Sequence, residues 1–197
     1  MCIRDRFSII RIFRRQMTIY IVDLEAVDTR YTKEWKEHLP KQLQRASNQS
    51  VVTISGGDTP QATTPGAFLN FGGTNVYKSA QMEKIGKMFC DGKIKNGDYF
   101  LYTDAWNPTV LQLKYMAELL KVKIKIGGMW HAGSYDPQDF LGRLIGDKPW
   151  VRHSEQAMFE SFDHYFFASQ IQTARWFLLA FLHYIIYLFS CLHIPLN

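Results

Sequence analysis

Short apolar runs alternate with longer segments of helical periodicity through most of this chain. Five runs predict strands: Thr18–Val22, Val51–Ile54, Tyr99–Tyr102, Val122–Ile126 and Tyr165–Ala168. Between them, apolar residues recur at helical spacing over residues 31–45, 76–89, 108–120, 137–145 and 151–163. Strands that alternate with helices indicate an α/β domain over residues 17–169, with a doubly wound, mostly parallel, Rossmann-like sheet flanked by helices. Pro40 inside the first helix predicts a break or a kink.

The segment from Asp98 to Asp139 is a strand–helix–strand unit with a polar cluster after each strand. The strands of such a unit are parallel, and the crossover between them is right-handed. Residues 104–107 follow the first strand, and residues 131–136 come shortly after the second. Ligands of doubly wound sheets bind outside the carboxyl ends of the strands. We therefore expect both clusters to line one site.

Two side chains in these clusters are candidate catalytic residues. His131 is followed by small residues that let a ligand approach, and an imidazole can transfer a proton or contact a phosphate near neutral pH. Asp104 can accept hydrogen bonds from sugar hydroxyls. Each also has a structural alternative. His131 can bond a backbone carbonyl, and Asp104 can cap the next helix unless Asn107 does so.

Four neighbouring residues are candidate substrate contacts: Trp106, Ser134, Tyr135 and Asp136. Trp106 can stack on a sugar ring or simply anchor its loop. Asp136 precedes a proline, so the start of a helix is its structural alternative.

A weaker candidate is a phosphate site at Gly72, Gly73 and Thr74. These residues precede a predicted helix, whose first amides carry partial positive charge and can cradle a phosphate. The spacing matches neither a P-loop nor a dinucleotide fingerprint. An ordinary loop-to-helix turn is therefore the alternative.

Charge and cysteine content exclude some classes of partner and site. The net charge is +5 over 197 residues, but residues 1–16 hold five Arg and one Asp, or +4, which leaves 5 − 4 = +1 for residues 17–197. The charge therefore does not predict a nucleic-acid partner. Cys2, Cys90 and Cys191 are far apart and form neither a metal motif nor a disulfide framework, which favours a reducing cytoplasm. No metal site is predicted.

The two ends of the chain differ from the middle. Residues 1–16 form a basic extension that we expect to be non-native or disordered, because Met17 precedes a ready first strand. Residues 170–197 form an apolar tail, and the stretch 176–196 has the roughly 20 residues of a membrane-spanning helix. The alternatives for this tail are a damaged or frameshifted end and an apolar C-terminal helix of the core.

The order of features from Asp98 to Ser169 resembles the N-terminal domain of GT-B fold glycosyltransferases, especially those similar to family 4. In that family a strand ends at a His that lies near the donor sugar and its diphosphate, and KIKIGGMWH puts His131 at the matching place. The family then has a helix with a Glu, an Asp and a strand ending in Ser. SEQAMFESFDHYFFAS matches with Glu155, Asp163 and Ser169.

The resemblance implies transfer of a sugar from a nucleotide-sugar co-substrate to an unidentified acceptor, with no further cofactor. It implies that His131 contacts the transferred sugar or its phosphate, while Asp104 and Trp106 shape the cleft. The family's Gly-Gly loop follows its first strand, whereas Gly72-Gly73 follows the second predicted strand here. The second domain of the fold has no counterpart in this sequence, so we expect an acceptor-side domain that is inactive alone.

Two other functions compete with this interpretation. One is a single-domain α/β enzyme that uses His131 and Asp104 within a closed pocket. The other is a membrane-tethered α/β binding module, anchored through residues 176–196, in an otherwise cytoplasmic protein.

Overall fold

A computed structural model describes residues 16–26, 31–60, 62–131, 133–134, 136–146 and 148–167. Its strands are β1 (Thr18–Val22), β2 (Ser50–Ile54), β3 (Tyr99–Tyr102), β4 (Lys125–Trp130) and β5 (His164–Phe167). Its helices are α1 (Tyr31–Ser47), α2 (Phe71–Cys90), α3 (Thr109–Leu119), α4 (Phe140–Leu144) and α5 (Pro149–Ser161). The predicted α/β alternation is confirmed. The predicted apolar C-terminal helix and the basic extension lie outside the described residues, apart from Gln16.

The five strands form one sheet in the order β2-β1-β3-β4-β5, and every pairing is parallel. From β1 the chain crosses to β2 on one side and later returns to β3 on the other side of β1. The predicted Rossmann-like sheet is therefore confirmed. The reversal of direction creates a switch point between the carboxyl ends of β1 and β3, which is where doubly wound sheets bind ligands.

Helices cover the two faces of the sheet unequally. On one face α2, α3 and α5 pack side by side over the main core, in which alternate strand residues such as Tyr20, Phe100 and Trp130 are buried. On the other face α1 packs against β2, and its Trp35 and Pro40 line a small cleft together with Ile21 of β1. This alternation follows from the period of two in a strand.

The structure corrects the extent of β4. The sequence predicts a strand that ends at Ile126, but the pairing with β3 and β5 continues through Gly127 and Gly128 to Trp130. A Cβ atom on Gly128 would lie 2.6 Å from Cε1 of Phe162, which is buried. The two glycines are therefore strand residues that let neighbouring aromatic rings lie directly on the backbone.

Two helix predictions also need correction. Helix α1 continues through Pro40 to Ser47, so the predicted break is absent; Pro40 faces the sheet beside a small cleft, where packing supports the helix. Helix α2 begins at Phe71, five residues before the predicted start, because Asn70 caps it. Among the described residues, no helix is both long and apolar enough to cross a bilayer, and the segment 176–196 lies outside them.

Candidate functional site

A small cleft lies at the switch point between α1 and the carboxyl edge of the sheet. It is lined from the sheet by Asp23 after β1 and Thr103 after β3, and from the helix by Trp35 and Lys36. The Thr103 amide donates to the Val22 carbonyl at 3.1 Å, which keeps the ends of the two strands together. The cleft is therefore at the position where this topology predicts a ligand.

His131, the main candidate, lies directly after β4 and is half-buried beside this cleft. Its Nε2 is 2.8 Å from the carbonyl oxygen of Thr103, and its ring makes an edge contact with Trp35 at 5.7 Å between centroids. A carbonyl only accepts hydrogen bonds, so Nε2 carries the proton, and any proton exchange at this ring uses Nδ1. The structural alternative raised from the sequence, a bond to a backbone carbonyl, is thus present, and it also orients the imidazole.

A buried carboxylate joins the two predicted polar clusters. Oε1 of Glu155 in α5 accepts a hydrogen bond from the Trp106 indole at 2.6 Å and another from the Ser134 amide at 2.8 Å. Glu155 is only 7% exposed, so both donors depend on it. The loops after β3 and β4 are therefore held against each other, as the strand–helix–strand interpretation predicts.

Asp104 and Asn107 divide the roles that the sequence left open. Oδ1 of Asn107 accepts hydrogen bonds from the amide and the hydroxyl of Thr109 in the first turn of α3. Oδ1 of Asp104 accepts from the Trp106 amide at 3.1 Å and shapes the loop, while its Oδ2 bonds no residue that the structure describes. The catalytic role of Asp104 stays a prediction, with one oxygen used structurally.

The remaining predicted substrate contacts are less favourably placed. Trp106 packs against the core and its N–H is engaged by Glu155, which leaves ring stacking as its means of contacting a sugar. Ser134 is buried. Asp136 accepts from the Gln138 amide at 2.9 Å in the turn before α4. Tyr135 lies outside the described residues.

Gly72, Gly73 and Thr74 lie inside the first turn of α2 and not in a turn before it. The Gly73 amide donates to Oδ1 of Asn70 at 2.7 Å, and the Thr74 amide donates to the Asn70 carbonyl at 2.7 Å. A Cβ atom on Gly73 would lie 2.7 Å from Cδ of Pro60, so this glycine allows a close approach of the preceding loop. Asn70 thus satisfies the amides of Gly73 and Thr74, and the phosphate role of these residues stays a prediction.

The sequence analysis missed Asp23, the most highly connected side chain at this edge. It accepts hydrogen bonds from Tyr77 at 2.5 Å, Gln81 at 3.0 Å and Ser55 at 2.5 Å, and Lys36 lies 3.4 Å away. Burial, and then the hydrogen bond and charge of Asp23, raise the pKa of the Tyr77 phenol well above its usual range. The signal was available, because a carboxylate directly after the first strand of a parallel sheet falls at the ligand edge.

The cleft is lined by the Lys36–Asp23 ion pair and the Trp35 ring, and the oriented imidazole of His131 lies beside it. The Lys36 side chain is 34% exposed, and its Nζ also donates to the Tyr77 hydroxyl at 3.4 Å. Such groups can bind a phosphate or hydrogen-bond a sugar. Within the part of the chain that the structure describes, no group of three or more His, Cys, Asp or Glu side chains is arranged to hold a metal ion.

Comparisons with protein-family models, with curated proteins and with solved structures find no match to this chain. The family resemblance therefore stays a prediction from the sequence motifs.

Proposed function

We propose that this chain supplies the N-terminal, acceptor-side domain of a glycosyltransferase with the GT-B fold. The observation that carries the proposal is the position of His131, which lies after β4 with its ring oriented by Thr103 and Trp35 at the switch-point cleft. A histidine oriented in this way is suited to contact the transferred sugar or its phosphate. The carboxyl edge of the sheet then forms one wall of the transfer cleft.

Two further contacts support this assignment. Glu155 comes from the helix in which the resemblance expects an acidic residue, and it holds the loops on either side of the proposed wall together. Lys36 in the same cleft is paired with Asp23 at 3.4 Å, and its 34% exposed side chain can also donate a hydrogen bond to a phosphate oxygen. Asp163 serves another purpose at the opposite edge, where its Oδ2 accepts from the Ile126 amide at the start of β4.

In the proposed reaction an acceptor hydroxyl oxygen forms a bond to the anomeric carbon of the donor sugar. The bond from that carbon to the diphosphate oxygen breaks, the nucleoside diphosphate leaves with the electron pair, and the hydroxyl proton goes to a base. His131 hydrogen-bonds the sugar or its phosphate, and Asp104 accepts from a hydroxyl through Oδ2. Trp106 offers its ring face to the sugar.

Ligand-observed NMR on the full chain tests the proposal. A panel of nucleotide sugars, nucleoside diphosphates and free saccharides is titrated against wild type, His131→Ala and the control His153→Ala, whose imidazole is exposed on α5. We expect at least one sugar-containing ligand to bind, with about tenfold weaker binding for His131→Ala because one hydrogen bond to the ligand is lost. The control should bind like wild type.

Two outcomes would contradict the proposal. If no ligand of the panel binds, or if both histidine variants bind equally well, His131 does not contact a sugar substrate. If the purified chain transfers sugar from a nucleotide donor without another protein, it is a complete enzyme and not one domain of a two-domain transferase. That second result would favour the single-domain enzyme.

A further inference from the structure

A cluster of lysines surrounds an open groove at the amino edge of the sheet, opposite the candidate site. The groove lies between the end of α3 and the start of β4, and four lysines line it: Lys114, Lys121, Lys123 and Lys125. Glu118 and Asp163 are the acidic residues in its lining, so the groove carries a formal charge of 4 − 2 = +2. The tertiary structure thus gathers positive charge that the total for residues 17–197 conceals.

The lysines of this groove differ in their pairing. Lys114 lies 3.3 Å from Glu118, and Lys125 lies 2.6 Å from Asp163. Lys121 and Lys123 are exposed and form no ion pair with any residue in the described part of the chain. These two lysines therefore remain available to an anionic partner.

Exposed apolar side chains lie directly beside the lysines. Tyr115, Leu119 and Leu120 at the end of α3 are 68%, 63% and 53% exposed. Tyr115 and Leu119 are four residues apart and share one face of the helix, next to the row that Lys114 and Glu118 occupy. Large apolar side chains clustered on a charged surface mark an interaction site more often than isolated ones do.

We propose that this surface, formed by residues 114–125, binds the headgroup region of an anionic lipid bilayer. Lysines attract anionic headgroups, while exposed leucine and tyrosine side chains enter the interface between headgroups and acyl chains. A nucleic-acid backbone would satisfy the lysines but would leave the two leucines in water. This proposal is independent of the proposed sugar transfer, and it differs from anchoring through residues 176–196.

Vesicle cosedimentation of the full chain tests the surface directly. The vesicles are either pure phosphatidylcholine or phosphatidylcholine with a third of its lipid replaced by phosphatidylserine. The charge variant is Lys121→Glu with Lys123→Glu. Its matched control is Lys41→Glu with Lys148→Glu, which makes the same change in net charge at exposed positions outside the patch.

We expect wild type and the charge control to bind the anionic vesicles at low salt and to bind neutral vesicles much more weakly. The charge variant should bind the anionic vesicles at least about tenfold more weakly, since each lysine near such a surface contributes a factor of about five. Salt at half-molar concentration should weaken wild-type binding, because the screening length becomes a few ångströms.

A second pair of variants, one substitution and its control, tests the apolar part of the surface. Leu119→Ser should weaken binding about fivefold, because its side chain enters the interface, whereas Val76→Ser should have no effect. Val76 is a suitable control because it is 68% exposed on α2, close to the 63% of Leu119. Neither substitution removes a core contact, so both variants should fold.

Four results would overturn the proposal. If the charge variant binds like wild type, or if neutral vesicles bind equally well, another segment is responsible for membrane binding. If the charge control loses as much binding as the charge variant, overall charge and not this surface determines binding. If a random-sequence duplex RNA displaces the vesicles at lower concentration than anionic lipid does, the surface is a nucleic-acid site.

Discussion

Glu155 provides a direct test of how the two site loops are held together. Replacing it with alanine removes the acceptor shared by the Trp106 indole and the Ser134 amide, at 2.6 and 2.8 Å. Each buried donor left without a partner costs about 1–3 kcal/mol. The indole is half-buried and can partly reach water, so its cost falls near the lower limit. We therefore expect Glu155→Ala to lower the free energy of unfolding by about 3 kcal/mol.

A conservative variant and a matched control separate the shared acceptor from general effects on α5. Glu155→Gln can keep an oxygen in the place of Oε1 and puts an NH₂ group in the place of Oε2, which accepts no hydrogen bond from the described residues, so we expect it to lower the free energy of unfolding by only about 1 kcal/mol. Glu160→Ala removes an exposed carboxylate on the same helix whose bond to Gln156 is at the surface, and its effect should stay within about 0.5 kcal/mol.

Urea unfolding followed by far-UV circular dichroism measures these differences. Combining Glu155→Ala with Trp106→Phe completes a double-mutant cycle. The double variant should be less destabilised than the sum of the single variants by about 1 kcal/mol, because both remove the same bond. If Glu155→Ala proves as harmless as Glu160→Ala, the carboxylate does not hold the loops together and our account of the site is wrong.

Three further predictions concern the packing, the buried charge and the pH dependence of stability. Gly128→Ala should lower the free energy of unfolding by about 2 kcal/mol, because the new Cβ atom would lie 2.6 Å from the buried Phe162 ring. Gly86 lies in the interior of α2, and a Cβ atom there would meet no other atom within 4 Å, so Gly86→Ala should raise the free energy of unfolding by about 0.5–1 kcal/mol. Equal effects of the two substitutions in urea unfolding would contradict this packing. Asp23→Asn should lower the free energy of unfolding by about 3 kcal/mol in the same assay, because an amide NH₂ replaces an oxygen that accepts hydrogen bonds. An unchanged unfolding midpoint would show that the Asp23 carboxylate does not hold these donors together. Burial, and secondarily a nearby carboxylate, raise the pKa of Tyr99 from 10.0 to about 12, so the folded protein keeps a proton that the unfolded chain loses. The contribution of this phenol to folding stability is therefore fully present below pH 10 and is lost as the pH rises toward 12. Between these pH values the melting temperature of Tyr99→Phe should fall less steeply than that of wild type. Identical pH profiles of the two proteins would contradict this prediction.

The proposed family resemblance depends on motif residues that have different roles in the structure. Glu155 matches an acidic residue of the family's motif, and its contacts give it a physical role that does not require the resemblance. Asp163 braces the start of β4 through Ile126 and Lys125, far from the proposed transfer cleft. The motif therefore includes one residue that organises the candidate site and another that organises the opposite edge.

Local pattern alone determined the order of the elements and the edge at which a ligand site belongs. β1 and β3 were predicted with the bounds that the structure gives them, because each is a short apolar run that ends at a polar residue. His131 and the loop after β3 were expected at one edge, since parallel strands bring their carboxyl ends together. These inferences need only the chemistry of neighbouring residues.

Tertiary contacts decided the features that depend on residues distant in sequence. β4 extends through Gly127 and Gly128 because aromatic side chains from other elements lie on those glycines. Asp23 acquires partners up to 58 residues away, and the lysines of residues 114–125 meet in one groove only when α3 packs beside β4. Periodicity describes which face of an element is buried, but it cannot say which side chain of another element will lie against that face. For that physical reason the candidate site's edge could be predicted from the sequence, while its hydrogen-bond network could not.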